Sequence, residues 1–388
     1  MINEKKFTKA RWITIAATFL AFMGIGIVDP ILPTIAEQIG ANHWQVEMLF
    51  TAYILTMSLM MIPAGIFASR FGDKRMMVFG LFIVTVFALL CALSNGIASL
   101  SIFRAGWGFG NSMFFATAMT LLIALSKDPQ KAVGYYEAAI GLGMAGGPLV
   151  GGILGGYSWR FPFFATSILI LAAFCLVLFF VFEPNGKQKR KPVGMSELKG
   201  LFSYKPFITS ALAAMLYYYG FFVVLAYTPL IIGLNAIQIG FVFFGWGLML
   251  AYGSAILSHQ LEKKFLPKNI LPYSLFIFAA LLVLLFSVQS TALLITIVIV
   301  SGLASGLNNA LFTSYVMEVS PYERSITSGG YNFLRWLGAA IAPVLSGLIG
   351  QSVSAHAPFL VAAVLSAGGI GLMLLKPKPA TVETELSA

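Results

Sequence analysis

The chain has 388 residues, of which 59% are hydrophobic and only 10% are charged. A soluble protein of this length needs far more charge to cover its surface, so the composition excludes a large water-soluble domain. Cys91 and Cys175 lie inside apolar stretches without a CxxC pair, and the three histidines are isolated. We therefore expect no disulfide framework, no metal site and no bound cofactor.

Apolar stretches longer than about 18 residues predict transmembrane helices, and such stretches recur along the whole chain. They predict an all-α membrane protein with twelve transmembrane helices, called spans 1 to 12 below. The predicted spans are 12–38, 45–69, 76–94, 97–125, 133–155, 161–183, 207–232, 238–258, 270–289, 292–317, 327–350 and 357–375.

Lysine and arginine are distributed unevenly over the two faces of this bundle. Of the 24 basic residues, 21 fall on the face that carries loops 2–3, 4–5, 6–7, 8–9 and 10–11 and both chain ends, here called the basic face. The opposite face carries only Arg160. The positive-inside rule then places both termini in the cytoplasm of a multi-pass cell-membrane protein. This pattern explains the net charge of +10 without a nucleic-acid partner.

The sequence also repeats itself. The segment VGYYEAAIGLGMAGGPLVGGILG, from Val133, aligns with SGGYNFLRWLGAAIAPVLSGLIG, from Ser328, at an offset of 195 residues. These segments are spans 5 and 11, so a six-helix unit is duplicated. We expect an N-terminal bundle at 1–186, a linker at 187–206 and a C-terminal bundle with a short tail at 207–388. Two pseudo-symmetric six-helix halves around a midplane cavity are a transporter architecture, and one chain encloses the cavity, which predicts a monomer.

Loop 2–3 reads GIFASRFGDKRMM, from Gly65 to Met77. It resembles the loop 2–3 signature of the major facilitator superfamily (MFS), G-x-L-A-D-R-x-G-R-K-R. Ser69 stands where that signature has aspartate, and Asp73 stands where it has arginine. The resemblance implies that this loop tethers the two halves near the start of span 11, with Asp73 as the candidate carboxylate. A role as a topology anchor is the alternative. The matching residues are Gly65, Ala68, Arg70, Gly72, Lys74 and Arg75.

Two further motifs resemble the twelve-helix drug:proton antiporter branch of that superfamily. Span 4 begins LSIFRAGWGFGNS and carries the intramembrane Arg104. Span 5 contains GLGMAGGPLVGGILGG, which resembles the antiporter signature G-x-x-x-G-P-x-x-G-G. Small residues four apart let helix backbones approach closely, and proline bends the helix. The resemblance implies export and a gating role for Gly147, Pro148, Gly151 and Gly152.

One acid, Asp29, interrupts the apolar run FLAFMGIGIVDPILP in span 1. It lies ~15 Å from the far end of that span, and Arg104 lies ~10 Å from the same face. In the superfamily fold spans 1, 4, 7 and 10 line the cavity, so we expect Asp29 and Arg104 to face each other there. Deprotonated Asp29 then pairs with Arg104, and protonation releases it. Alternatively, Asp29 caps the broken helix ahead of Pro30 and Pro33 or faces the aqueous vestibule, and Arg104 is a structural pin.

A second acid–base pair is predicted closer to the basic face. Glu137 lies ~4 residues inside span 5, and Arg335 lies ~8 residues inside span 11. They are candidates for proton coupling and for gating, respectively. Glu318 is an equally good partner for Arg335, and Glu137 can instead extend to the membrane interface.

Span 7 reads ALAAMLYYYGFFVVLAYTPLII and carries an aromatic stripe without any charge. Such a stripe is typical of lipid-facing or core packing, or of a cavity wall that accepts lipophilic and cationic compounds. Polar and stacking groups on spans 4, 8 and 10 complete the predicted binding set. The candidate substrate-binding residues are Asn111, Tyr217, Tyr218, Phe221, Phe222, Trp246, Asn308 and Asn309.

These patterns favour a proton-coupled exporter of small lipophilic or cationic compounds, such as drugs, that works by alternating access. We expect a small-molecule substrate, protons and the lipid bilayer as its partners, and the proton gradient as its energy source. A proton-coupled nutrient symporter and a lipid flippase of the same fold are the alternatives. An intramembrane enzyme is disfavoured, since the sequence contains no HExxH and no GxSxG.

Overall fold

The computed structural model describes residues 2–184, 195–322 and 324–374, and these residues form twelve helical spans. The predicted fold class is confirmed, and each predicted span corresponds to one observed span. In chain order the spans are Ile2–Gly26 with Asp29–Ile31 and Leu32–Ile39, His43–Phe71, Asp73–Ala92, Ile97–Ala124, Pro129–Gly155, Phe161–Phe180, Lys205–Phe222 with Val223–Tyr227 and Thr228–Ile231, Ala236–Tyr252 with Gly253–Leu257 and Ser258–Glu262, Pro267–Ser287, Thr291–Val319, Arg324–Ser352 and Ala357–Leu374. A short helix, Met195–Ser203, precedes span 7.

Three spans depart from a continuous α-helix, which hydropathy does not reveal. Span 1 stops at Gly26 and passes through a 3₁₀ turn at Asp29–Ile31. Pro30 and Pro33 lack the backbone N–H that an α-helix needs, so the helical ladder is interrupted here. Spans 7 and 8 each contain a π-helical segment, at Val223–Tyr227 and Gly253–Leu257.

Spans 2 and 8 begin with the same helix-capping motif. At the start of span 2, the side chain of Asn42 accepts a hydrogen bond from the backbone of Gln45, and the side chain of Gln45 accepts one from the backbone of Asn42. Asn235 and Gln238 form the same capping box at the start of span 8. The two boxes are 193 residues apart, so span 8 is the repeat of span 2.

Glycines of the two halves meet backbone carbonyls in equivalent places. In span 4, Gly108 packs against the carbonyl of Tyr53 in span 2, and in span 10, Gly302 packs against the carbonyl of Trp246 in span 8. A side-chain carbon at either glycine would collide with that oxygen. Two further contacts repeat in the same way, Gly143 on Phe19 and Gly338 on Met215.

The two halves meet through span 2 against span 11 and span 5 against span 8. Hydroxyls of span 2 fasten the first interface: Thr51 Oγ1 donates to the carbonyl of Ala340 at 2.7 Å, and Ser58 Oγ donates to that of Phe333 at 3.3 Å. The proposed division at 187–206 stays a prediction, and residues 187–194 of that linker lie outside the described residues.

Candidate functional site

Asp29 occupies the 3₁₀ turn of span 1, which packs against spans 5 and 8. Its side chain is completely buried, and neither carboxylate oxygen has a hydrogen-bond partner among the described residues. The turn places Pro30 directly after it, and no side-chain cap is formed. A capping role is therefore not the one this structure displays, and an acid without partners inside a membrane bundle is a functional candidate.

Arg104 is also completely buried, between span 4 and span 2. Its Nε donates to the carbonyl of Leu49 at 3.4 Å, whereas Nη1 and Nη2 have no hydrogen-bond partner within the described part of the chain. The guanidinium carbon lies 4.4, 4.9 and 5.9 Å from the ring centres of Tyr53, Trp107 and Phe50. These rings supply the π faces that stabilise a desolvated cation.

The predicted relation of Asp29 to Arg104 stays a prediction. No ion pair of 4.0 Å or less joins these two described residues, yet Arg104 is the charged group that acts on the Asp29 carboxylate. Asn111 belongs to the same region, since its Nδ2 donates to the hydroxyl of Tyr53 at 2.5 Å.

The aromatic residues predicted to line a cavity form a buried cluster in the second half. Tyr217, Phe221, Phe222 and Trp246 are each at most 2% exposed. Phe221 lies 5.3 Å from both Phe222 and Trp246, measured between ring centres. In this arrangement the rings pack on each other rather than on open space, so a substrate reaches them only when the helices separate.

Polar groups of span 10 face this aromatic cluster. The hydroxyl of Tyr217 donates to the carbonyl of Ser305 at 2.8 Å and lies 3.0 Å from Oδ1 of Asn309. Asn308 is fully buried, and its Nδ2 lies 3.4 Å from the carbonyl of Ser274. The structure thus brings Tyr217 together with Asn309, whereas Asn308 is directed to span 9.

Arg335 is held by tyrosine and tryptophan side chains in the second half. Its Nη1 donates to the hydroxyl of Tyr218 at 3.0 Å, and its guanidinium lies 5.7 Å from the ring of Trp336. The side chain of Glu137 lies outside the described residues, and the electrostatic neighbours of Glu318 include Glu262. Pairing of Arg335 with either acid therefore stays a prediction.

The span 5 motif lies where two neighbouring helices approach closely. A side-chain carbon on Gly147 would lie 2.5 Å from the carbonyl oxygen of Met23 in span 1, and one on Gly151 would collide with that of Ile27. Gly152 faces span 8 instead, where its added carbon would lie 3.0 Å from Cα of Gly240. The motif therefore lets span 5 pack closely against span 1 and against span 8 of the other half.

Pro148 lies inside the span 5 helix, and its carbonyl approaches Gly240 of span 8. This contact extends the close packing of span 5 on span 8 by one helical turn. The predicted gating role of these four residues is untested by a static arrangement and stays a prediction.

Loop 2–3 is anchored by an acid that the sequence reasoning missed. Gly72 adopts φ 94°, a conformation that favours glycine, and the backbone N–H of Asp73 donates to Glu183 Oε1 at 3.2 Å. Glu183 follows span 6 in the described chain. Gly65 has open space around it, and Arg70 is exposed. The signal for Glu183 was its position as an isolated acid at the basic end of span 6.

A bundle of twelve spans in two repeated halves, with a carboxylate and a guanidinium buried in its interior without an ion pair between them, defines a multi-pass membrane transporter. The family model described as Major Facilitator Superfamily matches residues 14–343 and 211–388. The chain belongs to the Major Facilitator Superfamily.

Curated relatives extend over almost the whole chain. The multidrug efflux protein YfmO of Bacillus subtilis is 38% identical over 95% of this chain and 93% of its own length. Multidrug resistance protein 1 of Bacillus subtilis is 26% identical over 93% and 95%. Among solved structures, a D-xylose–proton symporter covers 95% of this chain and 98% of its own with a TM-score of 0.80 at 13% identity, which bears on the fold alone.

Proposed function

We propose that this transporter exports small lipophilic or cationic compounds in exchange for protons. The observation that carries the proposal is that two ionisable groups of the first half, Asp29 and Arg104, are completely buried, and that among the described residues neither Asp29 oxygen and neither Nη of Arg104 has a hydrogen-bond partner. An isolated carboxylate in an apolar interior is costly to ionise, so its proton occupancy is coupled to the packing around it. The multidrug efflux names of the relatives support the substrate class.

The cycle uses the interfaces between the halves. When the halves separate on the opposite face, Asp29 meets water and takes a proton. When they separate on the basic face, the proton leaves and a substrate enters among the aromatic residues of span 7. Proton and substrate are not bound at the same time, because they bias the same helix packing in opposite directions.

The driving force suffices for concentrative export. For a neutral compound, one proton moving inward gains ~2.3 kcal/mol per 100 mV, which sustains a substrate ratio of roughly 50-fold. One-for-one exchange with a monovalent cation moves no net charge, so the pH difference alone drives export of such a compound. The proposal places the basic face and both termini in the cytoplasm, since that face collects lysine and arginine. It requires protons, substrate and lipid as partners, a single chain as the working unit, and no cofactor or nucleic acid.

The test uses purified protein in proteoliposomes with an imposed pH gradient and two probes, a fluorescent lipophilic cation and a fluoroquinolone. The second probe is chosen because the NorA relatives of Staphylococcus aureus carry the name quinolone resistance protein. Probe movement against the proton flux supports the proposal. Movement of either probe in the same direction as protons favours a symporter, and movement that ignores the gradient overturns proton coupling.

A further inference from the structure

The contact between Glu47 and Gly347 joins the two halves near the opposite face. Glu47 lies one turn inside span 2, and its side chain is completely buried. Its Oε2 accepts a hydrogen bond of 2.9 Å from the backbone N–H of Gly347 in span 11. Oε1 has no hydrogen-bond partner in the described part of the chain. An ionised carboxylate offers about four acceptor sites, and this interface visibly fills one.

The internal repeat shows that packing alone does not require an acid here. The offset of the capping boxes aligns Glu47 with Gly240, and the offset of spans 5 and 11 aligns Gly347 with Gly152. At the second interface these two glycines simply touch, with an added carbon on Gly152 lying 3.0 Å from Cα of Gly240. One half–half interface therefore carries a titratable group where its counterpart has bare backbone.

Among the described residues, one backbone hydrogen bond and no ion pair stabilise a negative charge on Glu47. The titratable groups of span 7 that act electrostatically with Glu47 are the hydroxyls of Tyr219 and Tyr227. Span 11 contributes the backbone of Gly347, and span 2 itself contributes the backbone of Trp44 next to that glycine. No basic side chain among the described residues forms an ion pair with Glu47.

We propose that Glu47 is a second proton-binding site. Its protonated side chain holds the opposite face of the transporter closed, and we call this contact the latch. When the halves separate there, the carboxylate takes a proton from the adjoining water, and the neutral acid is the form enclosed when they close. Enclosing an ionised carboxylate with one hydrogen bond is energetically unfavourable. A neutral acid keeps its bond to Gly347 without that cost.

The latch sets the order of steps and adds no net charge movement. Its proton returns to the same aqueous phase when the face reopens, because the closed 2–11 interface separates it from the basic face. Protonation must precede closure on the opposite face. In the proposed exporter this is the external side, so the inference rests on the proposed function for its physiological direction only.

The experiment measures conformation without substrate. Cys91→Ala and Cys175→Ser remove the native cysteines, which are free, and spin labels are attached at Gln38→Cys and Gln351→Cys, two exposed positions on the opposite face of different halves. Distance distributions are recorded in lipid nanodiscs between about pH 5.5 and 8.5.

We expect the ratio of open to closed opposite face to rise up to tenfold per pH unit, the limit for one linked proton. With Glu47→Gln in the Asp29→Asn background, which removes the other proton-coupling acid, the face stays closed, and the ratio changes less than about twofold over the whole range. The matched controls Glu37→Gln, an exposed acid of span 1, and His43→Gln and His356→Gln, from this face, keep the wild-type response. A wild-type response retained in the double variant overturns the latch.

The Asp29→Asn background keeps the test decisive if Glu47→Gln does not fold. With Glu47 intact, this variant must still open with rising pH, and a flat response there overturns the latch. The two proposals fail separately. Proton-driven export with a pH-insensitive opposite face contradicts the latch alone, whereas a pH-sensitive face without gradient-driven transport contradicts the proposed function alone.

Discussion

Tyr53 and Trp246 occupy equivalent positions in the two halves, yet among the described residues a cation lies over the ring of Tyr53 and none over that of Trp246. The carbonyl of each residue packs against a glycine of the neighbouring span, Gly108 and Gly302 respectively. By that correspondence the place of Arg104 is taken in the second half by Val298 of span 10, a buried aliphatic side chain. The same helix packing therefore contains a charged side chain in the first half and an apolar side chain in the second.

Replacing Tyr53 tests whether this ring stabilises the guanidinium. Tyr53→Leu removes the face that lies 4.4 Å from Arg104, and we expect a loss of about 2 kcal/mol or more, since the cation is desolvated. Tyr53→Phe keeps the ring and loses the hydrogen bond from Asn111, at about 1 kcal/mol. Thermal unfolding in detergent and the export rate measure both. Equal effects of the two variants would show that the hydroxyl, not the ring, matters.

Asp29→Asn tests the coupling role. The amide is nearly isosteric and stays neutral, so the closed packing around the 3₁₀ turn is preserved. We expect the pH gradient to change probe export by less than about twofold, whereas substrate binding without a gradient stays within about threefold of wild type. Asp29→Glu, which keeps a titratable acid, serves as the control and retains part of the coupling. Full gradient-driven export by Asp29→Asn would remove this residue from the mechanism.

Gly146 and Gly147 form a matched pair within span 5. An alanine at 147 would press on the carbonyl oxygen of Met23 at 2.5 Å, whereas at 146 the nearest atom beyond the surrounding helix backbone, on Phe19, is 3.7 Å away. We expect Gly147→Ala to cost about 1–3 kcal/mol by overpacking and to slow transport. Gly146→Ala should be neutral or stabilising by up to about 1 kcal/mol, because alanine favours the helix. Melting midpoints in detergent decide, and identical shifts would refute the close approach of spans 1 and 5.

The spans were predictable because hydropathy and loop charge are local properties of the sequence. The environment of Arg104 was not, because Leu49 and Tyr53 come from another span, about fifty residues earlier in the chain. Glu47 was overlooked because an acid one turn from the end of a span looks like an interfacial residue. Its burial results from span 11 packing over it, a long-range contact.

The π-helical segments of spans 7 and 8 illustrate the same limit. The residues of Val223–Tyr227 are apolar or aromatic and read as continuous helix, so no local signal marks the extra residue in the turn. The repeat partly compensates for this limit, since Asn42–Gln45 and Asn235–Gln238 follow the same N-x-x-Q pattern at the start of spans 2 and 8. That pattern was readable from sequence and fixes the register between the halves.

Glu183 provides a final test, of how loop 2–3 is held at the basic face. Its carboxylate accepts the backbone N–H of Asp73 at 3.2 Å beside the left-handed Gly72. Glu183→Ala leaves that N–H without its acceptor, and we expect a loss of about 1–3 kcal/mol and slower transport. Glu183→Gln keeps an acceptor and should lose less stability.

Glu4 is the control acid on the same face: its ion pair with Lys127 is 2.6 Å long but its side chain is 66% exposed. Glu4→Ala should therefore destabilise the protein clearly less than Glu183→Ala does. If thermal unfolding and export rates show Glu4→Ala to be as damaging as Glu183→Ala, the anchoring role of Glu183 is wrong.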